Sequence, residues 1–242
     1  MSNHISNIAI VIPSLSPDKK LIEYTSDLIQ YGFSNIIIVN DGSSNEYDNI
    51  FNSLIEKKEV ILLKHDINKG KGAALKTALN YIKNHNKEFK GVLAVDSDGQ
   101  HLPKDCIKIA EKMLEGERGL YLGCRDFNDP RVPWKSRTGN RMTSFFFKRL
   151  YKQKLSDTQT GLRGFLIEDL DLMINTEGER YEYEMEQLIK ACLNDLKLIC
   201  IPIDTVYIDN NEGSHFRPLK DGLKIYKILF RKHNKWRKIN LN

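Results

Sequence analysis

Asp96 and Asp98 stand one residue apart in the segment Asp96-Ser97-Asp98-Gly99-Gln100-His101, directly after the aliphatic run 92–95. A chain that leaves a strand and bends at a glycine can turn two such carboxylates onto one cation. Hard oxygen ligands of this kind suit Mg²⁺ or Mn²⁺, with substrate phosphates completing the coordination shell. A calcium-binding EF-hand loop is excluded, because its sixth position requires Gly and here holds His101. A second cationic and glycine-rich element, Gly70-Lys71-Gly72-Ala73-Ala74, opens an apolar-periodic stretch and can aim backbone N–H groups and Lys71 at a phosphate. It lacks the Gly-Lys-Ser/Thr ending of a P-loop and the third Gly of a dinucleotide fingerprint. Asp41 and Asp66 each follow another aliphatic run, so three carboxylate sites recur at equivalent points of the chain.

These points are equivalent only if the intervening elements alternate. The aliphatic runs 8–12, 36–39, 60–63, 92–95 and 119–122 read as buried strands. Between them, Ser16-Pro17 predicts a helix start closed by Gly32, and a second helix spans 71–82 with Ala74, Leu75, Ala78, Leu79 and Ile82 on one face. A further helix starts near Pro103. Alternation of this kind predicts an α/β fold with a parallel sheet covered on both faces, which binds ligands beyond the carboxyl ends of its strands. The second half is less regular, with helices expected at 143–151 and 183–193 and a late strand at 198–203.

The chain of 242 residues fits one domain, with 37 Lys and Arg against 32 Asp and Glu and a net charge of +5. The four cysteines are widely spaced with no CxxC pair, which argues against a zinc ribbon or disulfide framework and for a reducing compartment. Residues 1–7 hold no signal-peptide core, and no apolar run approaches the roughly 18 residues of a membrane span. The expected location is the cytoplasm. The positive charge gathers at one end without a recognition motif, so a nucleic-acid partner is not expected.

Several stretches together resemble the family 2 glycosyltransferases, in particular the dolichol-phosphate mannosyltransferase-like (polyprenyl-phosphate glycosyltransferase) branch. They are Ile10-Val11-Ile12-Pro13, Val39-Asn40-Asp41-Gly42-Ser43, Asn68-Lys69-Gly70-Lys71-Gly72, the Asp96–His101 segment, Ser136-Arg137, residues 157–165 and Glu212-Gly213-Ser214-His215. The resemblance implies a glycosyltransferase-A fold and an inverting transfer from a nucleotide-diphosphate sugar, UDP- or GDP-linked. It places Pro13 and Ser14 against the nucleotide, Asp41 at the base or ribose, and Asp66 and Lys71 in the same pocket. It gives Asp96 to donor and metal, Asp98 and Gln100 to the metal nearest the diphosphate, and Ser97 to the donor. Arg125, Ser136 and Arg137 are implied at the acceptor or transferred phosphate.

A departing nucleotide diphosphate gains negative charge, which a divalent ion on Asp96 and Asp98 would stabilise. Arg217, with His215, is a candidate to close over the phosphates. The acceptor is a polyprenyl phosphate, already ionised, or a hydroxyl of a cell-envelope glycan or glycolipid, which needs a base. Asp157 is the candidate base, with orientation of Arg163 or capping of a turn as its alternative role. Arg125, Arg137, Arg141 and Arg163 favour the phosphate, because guanidinium forks recognise it. Residues 219–242 form a basic tail apart from the catalytic 1–218. There Lys220, Lys224, Lys227 and Arg231 recur at helical spacing beside an apolar stripe of Leu223, Tyr226 and Phe230. Such a helix predicts peripheral contact with a membrane surface, with Phe145–Phe147 as a second contact and a membrane protein as a further partner. A non-catalytic sugar-nucleotide binder is the reading from another class, and the Asp96/Asp98 pair argues against it.

Overall fold

The computed structural model describes residues 5–85, 88–130, 132–204 and 226–232. Its strands are β1 (Ile8–Ser14), β2 (Ile36–Asp41), β3 (Val60–His65), β4 (Gly91–Ala94), β5 (Gly119–Cys124), β6 (Arg163–Leu166) and β7 (Lys197–Pro202). They form one sheet in the order β3-β2-β1-β4-β6-β5-β7. Flanking it are α1 (Lys20–Gln30), α2 (Asp48–Ile55), α3 (Lys71–Asn84), α4 (Pro103–Leu114), α5 (Trp134–Tyr151), α6 (Leu170–Ile174) and α7 (Glu182–Leu193).

Strand alternation sorts the core into two layers. In β1, Ile8, Ile10 and Ile12 pack with Leu21, Leu28, Phe51, Ile109 and Met113 of α1, α2 and α4. Ala9 and Val11 face the opposite way, into a cluster with Ala74, Leu75, Ala78 and Leu79 of α3 and with Leu188 of α7. Each fully buried aliphatic side chain stabilises the fold by about 1.5–3 kcal/mol, so a central strand buried along its whole length anchors both layers.

The sheet is not uniformly parallel. β6 runs antiparallel to both β4 and β5, while the other pairings are parallel. The helix expected from Ser16-Pro17 begins instead at Lys20, because residues before it are committed to a turn. Ser16 has a positive φ and donates its N–H to Ser43 Oγ at 2.9 Å, and Asp18 Oδ1 accepts the N–H of Lys20 at 2.7 Å. The helix expected at 143–151 starts nine residues earlier, at Trp134.

Two further expectations are corrected. Cys124 and Cys200 form a disulfide between neighbouring strands β5 and β7, despite a sequence separation of 76. One premise of the reducing-compartment reading therefore falls. Of the aromatic trio on α5, Phe147 is fully buried and Phe146 packs edge-on against Tyr226 and Phe230, leaving Phe145 exposed. Residues 226–232 are helical and dock on the domain through buried Leu229 and through Lys232, which pairs with Glu177 at 2.7 Å. The rest of the tail lies outside the described residues. Among the described residues no helix is long and apolar enough to cross a membrane.

Candidate active site

Parallel β1, β2 and β4 deliver Ser14, Asp41 and, just past β4, Asp96 to one edge of the sheet. At the second strand's exit, buried Asp41 accepts His65 Nδ1 at 2.7 Å and the N–H groups of Lys69 and Gly70 at 2.9 and 2.8 Å. Its carboxylate thus ties down the segment that opens α3, where Gly70 adopts a φ of 105° that favours glycine. Asp66, expected in the pocket, is exposed, and its neighbour His65 is the buried partner of Asp41. Pro13 and Ser14 are buried at the end of β1, and the hydroxyl of Ser14 has no hydrogen-bond partner among the described residues.

Lys71 reaches from the first turn of α3 to Asp96 Oδ1 at 2.6 Å and to Glu184 Oε1 at 2.7 Å. Burial works against its ammonium, yet these two carboxylates hold its pKa above the ordinary lysine range. Burial also raises Asp96, but Lys71 foremost and His101 next lower its pKa to about 2. His101 accepts the Asp96 N–H on Nδ1 at 3.1 Å, and burial lowers its pKa, in keeping with a neutral ring. Asp98 is more exposed, and burial followed by the charge of Asp96 pushes its carboxyl up. Asp98 Oδ1 accepts the Gln100 N–H at 3.0 Å, and Ser97 is half-buried between the two acids. Among the described residues no three acidic, His or Cys side chains close a metal cage. The donor set fits an open hard-oxygen site that shares its cation with phosphate oxygens.

The reversed strand supplies the other wall. Because Arg163 pairs with Ala94, the start of β6 lies at the carboxyl edge, and residues 157–162 arrive beside Asp96. Gly161 touches the Asp96 carboxylate so closely that a Cβ there would collide with it. Asp157 is fully buried and accepts Arg125 Nε at 2.7 Å and Nη2 at 3.1 Å, with the Gln159 N–H at 3.0 Å. Arg163, expected at a phosphate, is buried and spends its donors on the carbonyls of Thr160, at 2.8 Å, and Glu184. It ties the segment before β6 to α7. Arg137 donates to the carbonyl of Asp129 at 2.8 Å, while its buried Nε lacks a partner among the described residues. Ser136 is half-buried beside it, and His215 and Arg217 lie outside the described residues.

The family model for glycosyl transferase family 2 matches residues 10–172, which hold these side chains except Glu184, His215 and Arg217. The chain belongs to glycosyl transferase family 2. It is 30% identical over 230 residues to an uncharacterized protein of Methanocaldococcus jannaschii, covering 93% of this chain and 92% of that one. It is 29% identical over 219 residues, 84% of this chain and 86% of the relative, to the UDP-N-acetylglucosamine–dolichyl-phosphate N-acetylglucosaminyltransferase of Methanococcus voltae. Among solved structures, glucosyl-3-phosphoglycerate synthase from Mycobacterium tuberculosis, in complex with Mn²⁺, UDP and glucosyl-3-phosphoglycerate, superposes with a TM-score of 0.66. That match has 16% identity and covers 93% of this chain and 77% of the other, and it establishes the glycosyltransferase-A fold.

Within this family 2 glycosyltransferase, sequence reasoning missed three positioning residues. His101 was visible inside the acidic motif but carries no role there without its contact to the Asp96 backbone. Asn140 bonds Ser156 O at 2.6 Å and accepts the Thr158 N–H at 3.1 Å, fixing the Asp157 loop to α5. Glu184 stands in the series Glu182, Glu184, Glu186, spaced i, i+2, i+4, which reads more often as an exposed acidic surface than as a site.

Proposed function

We propose that this glycosyltransferase inverts a hexosyl group from a UDP- or GDP-linked sugar onto a polyprenyl phosphate at a membrane surface, with Mg²⁺ or Mn²⁺. The observation that carries the acceptor assignment is the pairing of Asp157 with Arg125. Both carboxylate oxygens are engaged and the group is buried, so it is poorly placed to take a proton from a hydroxyl. A phosphate acceptor needs no base. Its oxygen attacks the anomeric carbon, the bond to the diphosphate breaks, and the nucleoside diphosphate leaves with the electron pair.

In this reading Asp157 positions Arg125 for the acceptor phosphate, and Arg137 offers its unpaired Nε to the same region. Ser14 and Asp41 frame the nucleotide, the first through its hydroxyl and the second through the loop it fixes. Asp96 and Asp98, with Gln100, would hold the cation, which when bound supplies charge stabilisation to the leaving diphosphate. Lys71 adds a positive charge on the same side. The name of the Methanococcus voltae relative supports the lipid-phosphate class. Exposed Trp134, Met142 and Phe145 on α5, with Phe230 nearby, support contact with lipid.

The test is radiolabel transfer from UDP-glucose, UDP-N-acetylglucosamine and GDP-mannose to vesicle-borne undecaprenyl or dolichyl phosphate with Mn²⁺. Label should enter the organic phase, and Asp157→Asn should weaken transfer without abolishing it. Metal-dependent donor hydrolysis with no lipid product, or complete loss in Asp157→Asn, would redirect the assignment to a hydroxyl acceptor.

A further inference from the structure

Glu184 lies beyond the residues the family model matches, yet its carboxylate meets Lys71 at 2.7 Å. We infer that Glu184 is a positioning residue that holds Lys71 back when Asp96 receives a divalent cation. The inference rests on the reading that a cation shared with a donor diphosphate sits at Asp96.

Lys71 bridges two acids. Its Nζ is 2.6 Å from Asp96 Oδ1, so in this arrangement an ammonium occupies the oxygen that a cation would need. For the cation to bind, Lys71 must release Asp96 without leaving its own charge unpaired in a pocket where its side chain is 17% exposed. Glu184, 12% exposed, supplies that second partner. Lys71 can then swing off Asp96 while keeping one carboxylate, and stay beside the diphosphate as a positive charge. Without Glu184, the only carboxylate bonded to Lys71 among the described residues is Asp96 itself, and lysine and metal compete for it directly.

The junction that carries this pair is stiff. Gly72 abuts Tyr183 so closely that an added Cβ would stand 2.5 Å from the Tyr183 Cβ. Ala73 donates its N–H to Glu179 O at 2.9 Å, and buried Arg163 donates to the Glu184 carbonyl. Helices α3 and α7 are therefore locked side by side at the point where Lys71 and Glu184 meet. The neighbouring acid Glu186 is engaged elsewhere, with Lys232 at 3.5 Å.

A double-mutant cycle on Mn²⁺ binding tests this, with free Mn²⁺ read by its electron paramagnetic resonance signal in the presence of UDP or GDP. Glu184→Gln should weaken Mn²⁺ binding about tenfold, a coupling within the range seen for charges in contact. Lys71→Met sets the reference for Mn²⁺ binding without the lysine. The double variant should match Lys71→Met, because Glu184 acts through the lysine. If Glu184→Gln leaves binding unchanged, or weakens it equally in the Lys71→Met background, the inference is overturned. Should Glu184→Gln fail to fold, Glu184→Asp takes its place, with an intermediate loss expected. A wild type that binds no Mn²⁺ with either nucleotide overturns the proposed function and this inference together. A wild type that binds, with additive variants, overturns this inference alone.

Discussion

The two walls of the cleft are built by different means. The wall proposed to take the donor, from β1 to β4, gathers residues that sit at the exits of parallel strands and are fixed by hydrogen bonds with backbone N–H groups. Asp41 locks the loop at Lys69 and Gly70, and His101 locks Asp96 five residues away. The wall proposed to take the acceptor, from β5 to β7, is tied together by side-chain bonds between elements and by a disulfide. Arg125 finds Asp157 across 32 residues, Asn140 reaches Thr158 across 18, and a disulfide joins Cys124 to Cys200. A charge-handling edge can be written into strand ends, whereas the facing wall needs a reversed strand and cross-ties to stay in place.

The largest effect should come from the donor wall. Asp98→Ala should reduce transfer on the order of 10²–10³-fold, the usual cost of losing one charge-stabilising group at a leaving oxygen. Its thermal unfolding should be nearly unchanged, because this exposed side chain supports little packing. A large drop in melting temperature would mean that the donor wall depends on Asp98 for its shape, and the contrast with the acceptor wall would weaken.

On the acceptor wall the effects should be structural first. Cys124→Ser removes a cross-link and should lower unfolding free energy by about 2–4 kcal/mol in denaturant titrations, with a dithiol on wild type giving the same shift. Equal stability with and without dithiol would show that the tie between β5 and β7 is not covalent in solution. Asn140→Ala strands the backbone groups of the Asp157 loop and should cost about 1–3 kcal/mol. Transfer should fall in that variant while Mn²⁺–nucleotide binding holds, and loss of both would erase the division between the walls.

The donor wall was legible in the sequence for the same reason that it is stable. Aliphatic runs mark β1 to β4, each is followed within a few residues by its polar group, and the α3 stripe of Ala74, Leu75, Ala78, Leu79 and Ile82 is buried as its period requires. The acceptor wall was legible only as residue types. β6 is four residues long, with Arg and Gly in its first half, so it carries no strand period. The partner of Asp157 depends on that strand's direction. The bare sequence offered Arg163 and a base role, and the fold pairs Asp157 with Arg125 instead. The acidic run 182–186 has one spacing and two environments, which only the packing of α7 against α3 separates.

The smallest expected effect concerns acid. With its pKa held at about 2, below the ordinary carboxylate value of about 3.9, Asp96 contributes stability that is complete above pH of about 4. That contribution fades as pH falls toward 2, where the folded protein also takes up the proton. In metal-free protein, the melting-temperature gap between wild type and Asp96→Asn should therefore narrow from pH 7 to pH 3. A constant gap would separate the stability of the donor wall from the Lys71 pair.

Gly161 has an implication for how this enzyme can change. Its restriction is one of room and not of backbone conformation, since it is absent from the glycines with positive φ. Any side chain there would push into the Asp96 carboxylate, so drift at this position is closed while that acid keeps its place. Gln159, two residues before Gly161, is exposed. Laboratory evolution toward other acceptors should accordingly accumulate substitutions around Gly161 and leave it untouched, and a library forced to vary it should return only variants that have first moved or replaced Asp96.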